Sequence, residues 1–258
     1  NKLKRFLAVS ARGLVKLISP VLFVKMQYRY ITHHKLNLKN PTRYTEKLQY
    51  LRLFVYPKKP LVSQCASRDG VREYIKDKGF EKYLIPIYGI FDKFDDINFD
   101  KLPEKFVMKC THACAFNKIV LNKDEIDIPA LRKQFNKWLK INYGNKTIEK
   151  HYSPIKPRII IEQYIGELEC SPLEYKIHVF NGVARTLYVV SGRYKDIRYN
   201  NYLIDWTPFD GSQFNGWRKT DKELTKPENF DEMVTFAETI AKEFPFVRVD
   251  LYNINGKI

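Results

Sequence analysis

Only four cysteines, Cys65, Cys110, Cys114 and Cys170, occur in 258 residues. That is too few to staple a chain of this length, so a disulfide scaffold is excluded and a reducing compartment is implied. Long apolar runs are missing too. The longest uncharged run near the N-terminus is residues 17–24, well short of the roughly 20 apolar residues that span a bilayer. No small-residue cleavage site closes that run before Lys25 and Tyr28, which argues against a secretory signal. Acidic residues are scarce: 29 Asp and Glu stand against 45 Lys and Arg, a net charge of +16, and the resulting field favours anionic partners. The basic residues are scattered and form no single Arg-rich arm, so nucleic acid is not the expected partner. No Ser-His-Asp or Cys-His pattern marks a nucleophilic hydrolase. Cys110, His112 and Cys114 lack the second ligand pair that a structural zinc needs.

What is there describes a folded protein. Hydrophobic residues make up 44% and aromatics 14% of the chain, and glycine and proline are spread without low complexity, a composition that can bury a large core. Residues 1–30 mix apolar and basic side chains and read as a basic amphipathic helix broken at Pro20, either lying on an anionic membrane surface or packed on the main domain. Asn40-Pro41 marks a turn, and Thr45 and Glu46 open a helix carrying Leu48, Leu51 and Leu53, an accessory cap. A helix over Ser67–Lys78, an apolar strand in YLIPIYGIFD, an acidic turn and a short strand FVMKC follow. Then come a basic helix in IPALRKQFNKWLKINYG, a strand Ile159–Ile161 ending at Glu162, and a hairpin turning at Asn181-Gly182. An amphipathic helix with Met233, Phe236, Ala237, Ile240 and Phe244 at helical spacing leads into FVRVDLY. The alternation is that of a mixed α/β protein.

Several polar residues sit where sheet chemistry makes them informative. Lys109 lies inside an apolar strand, which is costly unless an anion compensates it or the strand is an edge from which the side chain reaches water. Glu162 ends a buried strand, at a ligand rim or a solvent-facing end. Lys176 and His178 share one face of their strand, opposite Tyr175 and Ile177. Arg248 and Asp250 share a face of the last strand, ahead of a turn at Asn255-Gly256, an arrangement that suits a metal-bound nucleotide phosphate.

A strand lysine before a loop, a strand-ending glutamate before a second sheet, and a helix leading to Arg-x-Asp resemble, in that order, the ATP-grasp superfamily. The segments NLKNPTRYTEKLQYLRL, CASRDGVREYI, EKYLIPIYGIFDKFDDINFDKLPEKFVMKCTH, HYSPIKPRIIIEQYI and FPFVRVDLYNINGKI are more closely similar to the TupA-like ATP-grasp proteins of bacterial surface-polysaccharide clusters. The resemblance runs from about Asn37 to Ile258. It implies an α+β ATP-grasp fold, two subdomains clasping a nucleotide, with an N-terminal helical extension at 1–58. A linker and first α/β segment at 59–105, a lid subdomain at 106–166 and a larger subdomain at 167–258 would follow.

The resemblance also implies roles. Lys109 and Arg68 would meet nucleotide phosphates, with His112 and Lys176 in the same binding set. Glu162, Gln163, Tyr164 and Ile165 would form the adenine hinge, Glu169 would reach the ribose, Asp250 would hold Mg²⁺ and Arg248 would meet the transferred phosphoryl group. The implied activity is ATP-dependent amide formation through an acyl phosphate, joining an amino acid to a uronic acid of a surface polysaccharide. It would take place in the cytoplasm, with peripheral contact at the inner face of the membrane through residues 1–30. Three departures bear on this. The relatives' His-Gly-Ser-Gly-Gly-Asn loop is here HACAFN, with Ala113, Ala115 and Phe116 in place of glycines, which should stiffen or misplace the lid. Ser67 replaces a usual aspartate beside Arg68. The strand that supplies a further Mg²⁺-ligating glutamate is expected beyond Ile258, so the chain is read as a fragment or as having an incomplete metal site. Three rival readings follow: a nucleic-acid-binding protein, which fits the charge alone, a catalytically impaired relative that binds nucleotide or acidic polymer, and a polysaccharide glycosyltransferase. For the last the only nearby acidic pair, Asp95-Asp96, lies in a connecting loop.

Overall fold

Alternating apolar and polar residues build two sheets, each with one face closed by a helix. The computed structural model describes residues 15, 16, 18–166, 172–193, 196–211, 217–220 and 223–258. They fall into two compact units, one running through Tyr74 and taking in Ile87–Glu162, the other comprising Ile75–Pro86 and Gln163–Ile258.

The first unit holds a four-stranded sheet of order β1-β4-β2-β3, from β1 (Ile87–Phe91), β2 (Phe106–Cys110), β3 (Asn117–Val120) and β4 (Ile159–Gln163). Strands β1 and β4 are antiparallel, as are β2 and β3. On β2, Phe106, Met108 and Cys110 are fully buried while Val107 and Lys109 take the other face. The buried row packs with Phe94, Ile159, Ile161 and the helix residues Leu131 and Phe135.

Among the described residues, the helices α1 (Pro20–Thr32), α2 (Tyr44–Tyr50), α3 (Pro60–Ala66) and α4 (Gly70–Asp77) precede β1. Val15, Lys16 and Ile18 ahead of Ser19 are helical as well, so the helical run is interrupted here as expected, and Pro20 starts α1. Ser19 caps it by accepting the N–H of Leu22 at 3.2 Å, and proline at the first helical position lacks only an N–H that would be unpaired anyway. Val24 and Tyr28 of α1 pack with Leu36 and Ile148. Helix α2 is anchored by the buried Glu46, whose carboxylate accepts the backbone N–H groups of Asn37, Thr42 and Arg43, each at 3.1 Å. A wider π turn at Leu51–Val55 continues it. This segment, read as an accessory cap, is thus part of the first unit. Helix α4 starts at Gly70 and not at Ser67, because Ser67 closes α3 in extended backbone and Asp69 accepts the N–H of Gly70 at 3.0 Å. Between β3 and β4 lie α5 (Ile128–Leu139), capped by Asp127, and α6 (Tyr143–Thr147).

The second unit holds a five-stranded sheet of order β8-β7-β6-β5-β9, built from β5 (Glu174–Phe180), β6 (Val183–Ser191), β7 (Arg198–Leu203), β8 (Arg218–Lys219) and β9 (Phe246–Tyr252). Asn181 and Gly182 both take positive φ, 49° and 78°, which the tight turn between β5 and β6 demands. Tyr175, Ile177, Val179, Leu187, Val189 and Val249 form one face and pack on α7 (Phe230–Ala241) through Met233, Phe236 and Ala237. Phe80 and Tyr83 meet the Phe236 ring at 5.0 and 4.8 Å.

Phe135, fully buried and 5.0 Å from the Trp138 ring, should be a keystone of the first unit. Phe135→Ala is expected to lower its stability by about 3–5 kcal/mol, whereas Ile90→Ser, on edge strand β1 and 38% exposed, should change it by less than about 0.5 kcal/mol. Urea unfolding of the two variants checks the difference.

Candidate functional site

Lys109 occupies an inner strand, so it is not an edge lysine reaching for water. Its ammonium group instead donates to the Glu162 carboxylate on neighbouring β4. Both side chains are largely buried, 21% and 10% exposed; removing one partner would strand the other's charge, at a cost of about 3–5 kcal/mol. Glu162 is therefore not a strand end: β4 continues to the exposed Gln163, whose N–H reaches the Pro86 carbonyl at 2.9 Å. Tyr164 and Ile165 follow, half-buried, and Glu169 lies outside the described residues.

The turn after β2 is tied down at several points. Thr111 donates its N–H to the Arg158 carbonyl at 2.9 Å and its hydroxyl to the Lys156 carbonyl at 3.1 Å, and accepts the Arg158 N–H at 3.0 Å. Arg68 donates its backbone N–H to Thr111, Nε to the Cys110 carbonyl at 3.2 Å and Nη2 to the Ala113 carbonyl at 3.5 Å. The guanidinium expected to meet phosphate thus holds the loop backbone. Ala115 takes φ 62°, the left-handed conformation that a glycine would adopt freely. Phe116 is buried, stacked on Trp138 at 5.1 Å with 9° between the planes. His112 is only 2% exposed and is turned into the interior. Burial holds its pKa below the usual histidine value, and the carbonyls of Trp138 and Ile141 oppose that shift without forming well-aligned bonds.

In the second unit the face of β5, β6 and β9 away from α7 carries a chain of alternating charges. Arg193 donates through Nε and Nη2 to Glu174. The buried Lys176 ammonium lies 2.9 Å from Glu174 and 2.7 Å from Asp250, its register partner on β9. Arg248 grips Asp250 with two bonds, 2.6 and 2.8 Å, and lies over the Tyr188 ring at 5.8 Å. For Asp250, burial acts to raise the carboxyl pKa, but the hydrogen bonds and charges of Arg248 and Lys176 outweigh it and hold it below the usual range. His178, paired in register with Arg248, bonds Thr186 through Nδ1 at 3.0 Å. Burial, reinforced by the Arg248 charge, brings its pKa down to about 4.

Of the residues expected from the sequence, Lys176, Arg248 and Asp250 lie together on this face; Glu174, Arg193, Asp69 and Arg158 were not among them. Glu174 was legible, because it lies two residues before Lys176 and must share its face. Asp69, buried and ion-paired to Arg158, directly follows Arg68. A groove of about 700 Å³ between β3 and α5, bordered by Lys118, Leu121, Lys133 and Lys137, contains none of the residues selected from sequence.

A sequence model of the TupA-like ATPgrasp family matches residues 46–258. The chain belongs to the TupA-like ATP-grasp family. Among solved structures, the D-alanine–D-alanine ligase of Bacillus anthracis is similar in its complex with ATP, at 17% identity and TM-score 0.45, covering 76% of this chain and 53% of that one. A second structure of that ligase gives 18% identity and TM-score 0.42, over 76% and 55%. The ATP-grasp ligase PsnB, complexed with precursor peptide PsnA2 and AMPPNP, gives 12% and 0.37, over 80% and 51%. The chain spans about half the length of each. Comparison with curated proteins returns no significant match.

Mg²⁺ is usually held by one or two carboxylates together with substrate phosphates. Among the described residues no three His, Cys, Asp or Glu side chains cluster as a metal site, and both oxygens of Asp250 are engaged by cations.

The depressed pKa of His178 has a pH consequence. The unfolded chain binds the proton below the ordinary value of 6.5 and the fold only near 4, so stability is lost as pH falls between them, by up to about 3 kcal/mol. Urea unfolding from pH 7 to 4 should show a weaker pH dependence in His178→Gln than in the parent; identical slopes would contradict this.

Proposed function

We propose that the chain is the nucleotide-handling portion of an ATP-dependent carboxylate–amine ligase. In this reading a substrate carboxylate oxygen attacks the γ-phosphorus of ATP and ADP leaves. An amine then attacks the acyl carbon of the resulting acyl phosphate, releasing inorganic phosphate and a proton. No protein nucleophile is needed. The residues contribute by positioning and by neutralising charge as it develops: Lys109 by turning its ammonium from Glu162 to a phosphate oxygen, Arg248 by offering its planar fork to the transferred group. The supporting observation is family membership over 46–258 together with a partly buried, strand-borne Lys109. A uronic acid and an amino acid are the proposed substrates, each carrying a carboxylate that suits the +16 charge. ATP and Mg²⁺ belong to the proposal.

A second reading is supported by the loop after β2. With Phe116 packed on Trp138 and Arg68 fixed to loop carbonyls, the chain would bind nucleotide without turnover. Phosphate release with ATP, Mg²⁺ and a panel of uronic acids and amino acids separates the two: substrate-dependent release supports the ligase, and ATP binding without release supports the binding-only relative.

Lys109→Ala should weaken binding of a non-hydrolysable ATP analogue by about ten- to a hundredfold in calorimetry. Because this variant strands Glu162, the double variant Lys109→Met/Glu162→Gln is measured beside it. Parental affinity in a folded double variant would remove Lys109 from the nucleotide site.

A further inference from the structure

Helix α1 has two apolar sides, and among the described residues only one is packed. Val24 and Tyr28 are buried in the first unit, while Leu22, Met26 and Tyr30, four residues apart, form a row that is 49%, 53% and 76% exposed. Ile18, just before the Ser19 cap and four residues ahead of Leu22, extends the row at 75%. Lys25 and Arg29 are exposed along the same side. A helical row of this spacing lies on a single stripe of the surface, and large exposed apolar patches of this kind mark an interaction site.

Charge decides what covers it. The first 45 residues contain ten basic residues, Lys2, Lys4, Arg5, Arg12, Lys16, Lys25, Arg29, Lys35, Lys39 and Arg43, and no Asp or Glu; the first acid of the chain is Glu46. A second copy docking through this face would set like charges against each other. Nucleic acid would match the charge and leave the apolar row unsatisfied. An anionic lipid surface satisfies both, since apolar side chains enter the boundary below the headgroups while cations pair with phosphates. The helix has 13 residues, about 20 Å of length, so it would lie along a membrane instead of crossing it. Among the described residues no helix is long and apolar enough to span one.

We propose that the outward face of α1, Leu22, Met26 and Tyr30 with Lys25 and Arg29, docks the protein on an anionic bilayer surface. The test is sedimentation of the full chain with phosphatidylcholine vesicles, with and without about one third phosphatidylglycerol. The parent should bind the anionic vesicles and release at high salt. Leu22→Gln/Met26→Gln and Lys25→Glu/Arg29→Glu should each bind about tenfold more weakly, with unchanged circular dichroism and melting. No binding to anionic vesicles, equal binding to neutral ones, or equal binding by both variants would overturn the proposal. Light scattering that shows a dimer abolished by Leu22→Gln/Met26→Gln would also overturn it, assigning the face to a second copy.

Discussion

A lysine carried on an inner strand needs a carboxylate within reach of its ammonium group, and the polar side of each unit is arranged around that need. In the first unit Lys109 meets Glu162 from the next strand; in the second, Lys176 sits between Glu174 and Asp250. A buried ammonium without such a partner would deprotonate or expose itself. Each pair bridges neighbouring strands on the face that stays polar. The opposite faces are then free to be wholly apolar, and both units place a helix there, α5 in the first and α7 in the second.

The second unit's charge chain is polar on one side and braced by aromatic rings on the other. Arg248 rests over Tyr188, and His178 lies 5.5 Å from the same ring. Its three cations and two carboxylates leave one positive charge in excess, so an added anion would complete the alternation without leaving a buried charge unpaired. Arginine suits that place better than lysine, because its fork can keep Asp250 on one edge and offer another edge elsewhere.

Much of this was legible from the chain alone, for reasons that differ by element. The β5–β6 hairpin, α7 and β9 were readable because strict alternation and helical spacing coincide there with unambiguous turn residues. The family resemblance, carried by separated segments, agrees with the match over 46–258. What escaped was anything set by long-range pairing. Nothing near Lys109 in sequence announces a partner 53 residues away, and Arg68 reads as a phosphate ligand until the Cys110 and Ala113 carbonyls are brought beside it. Helix α3 escaped because its seven residues carry too little periodicity, although Pro60 at its start was a usable sign.

Thr111 has a consequence out of proportion to its size. Fully enclosed, it clips the end of β2 to residues 156–158 through three neutral hydrogen bonds. Lys109 lies two residues before that clip and Glu162 four residues after Arg158, so the alignment of the opposed charges is set by an uncharged hydroxyl. The two strands would keep their register even if the ammonium group changed partners, as the proposed nucleotide binding requires.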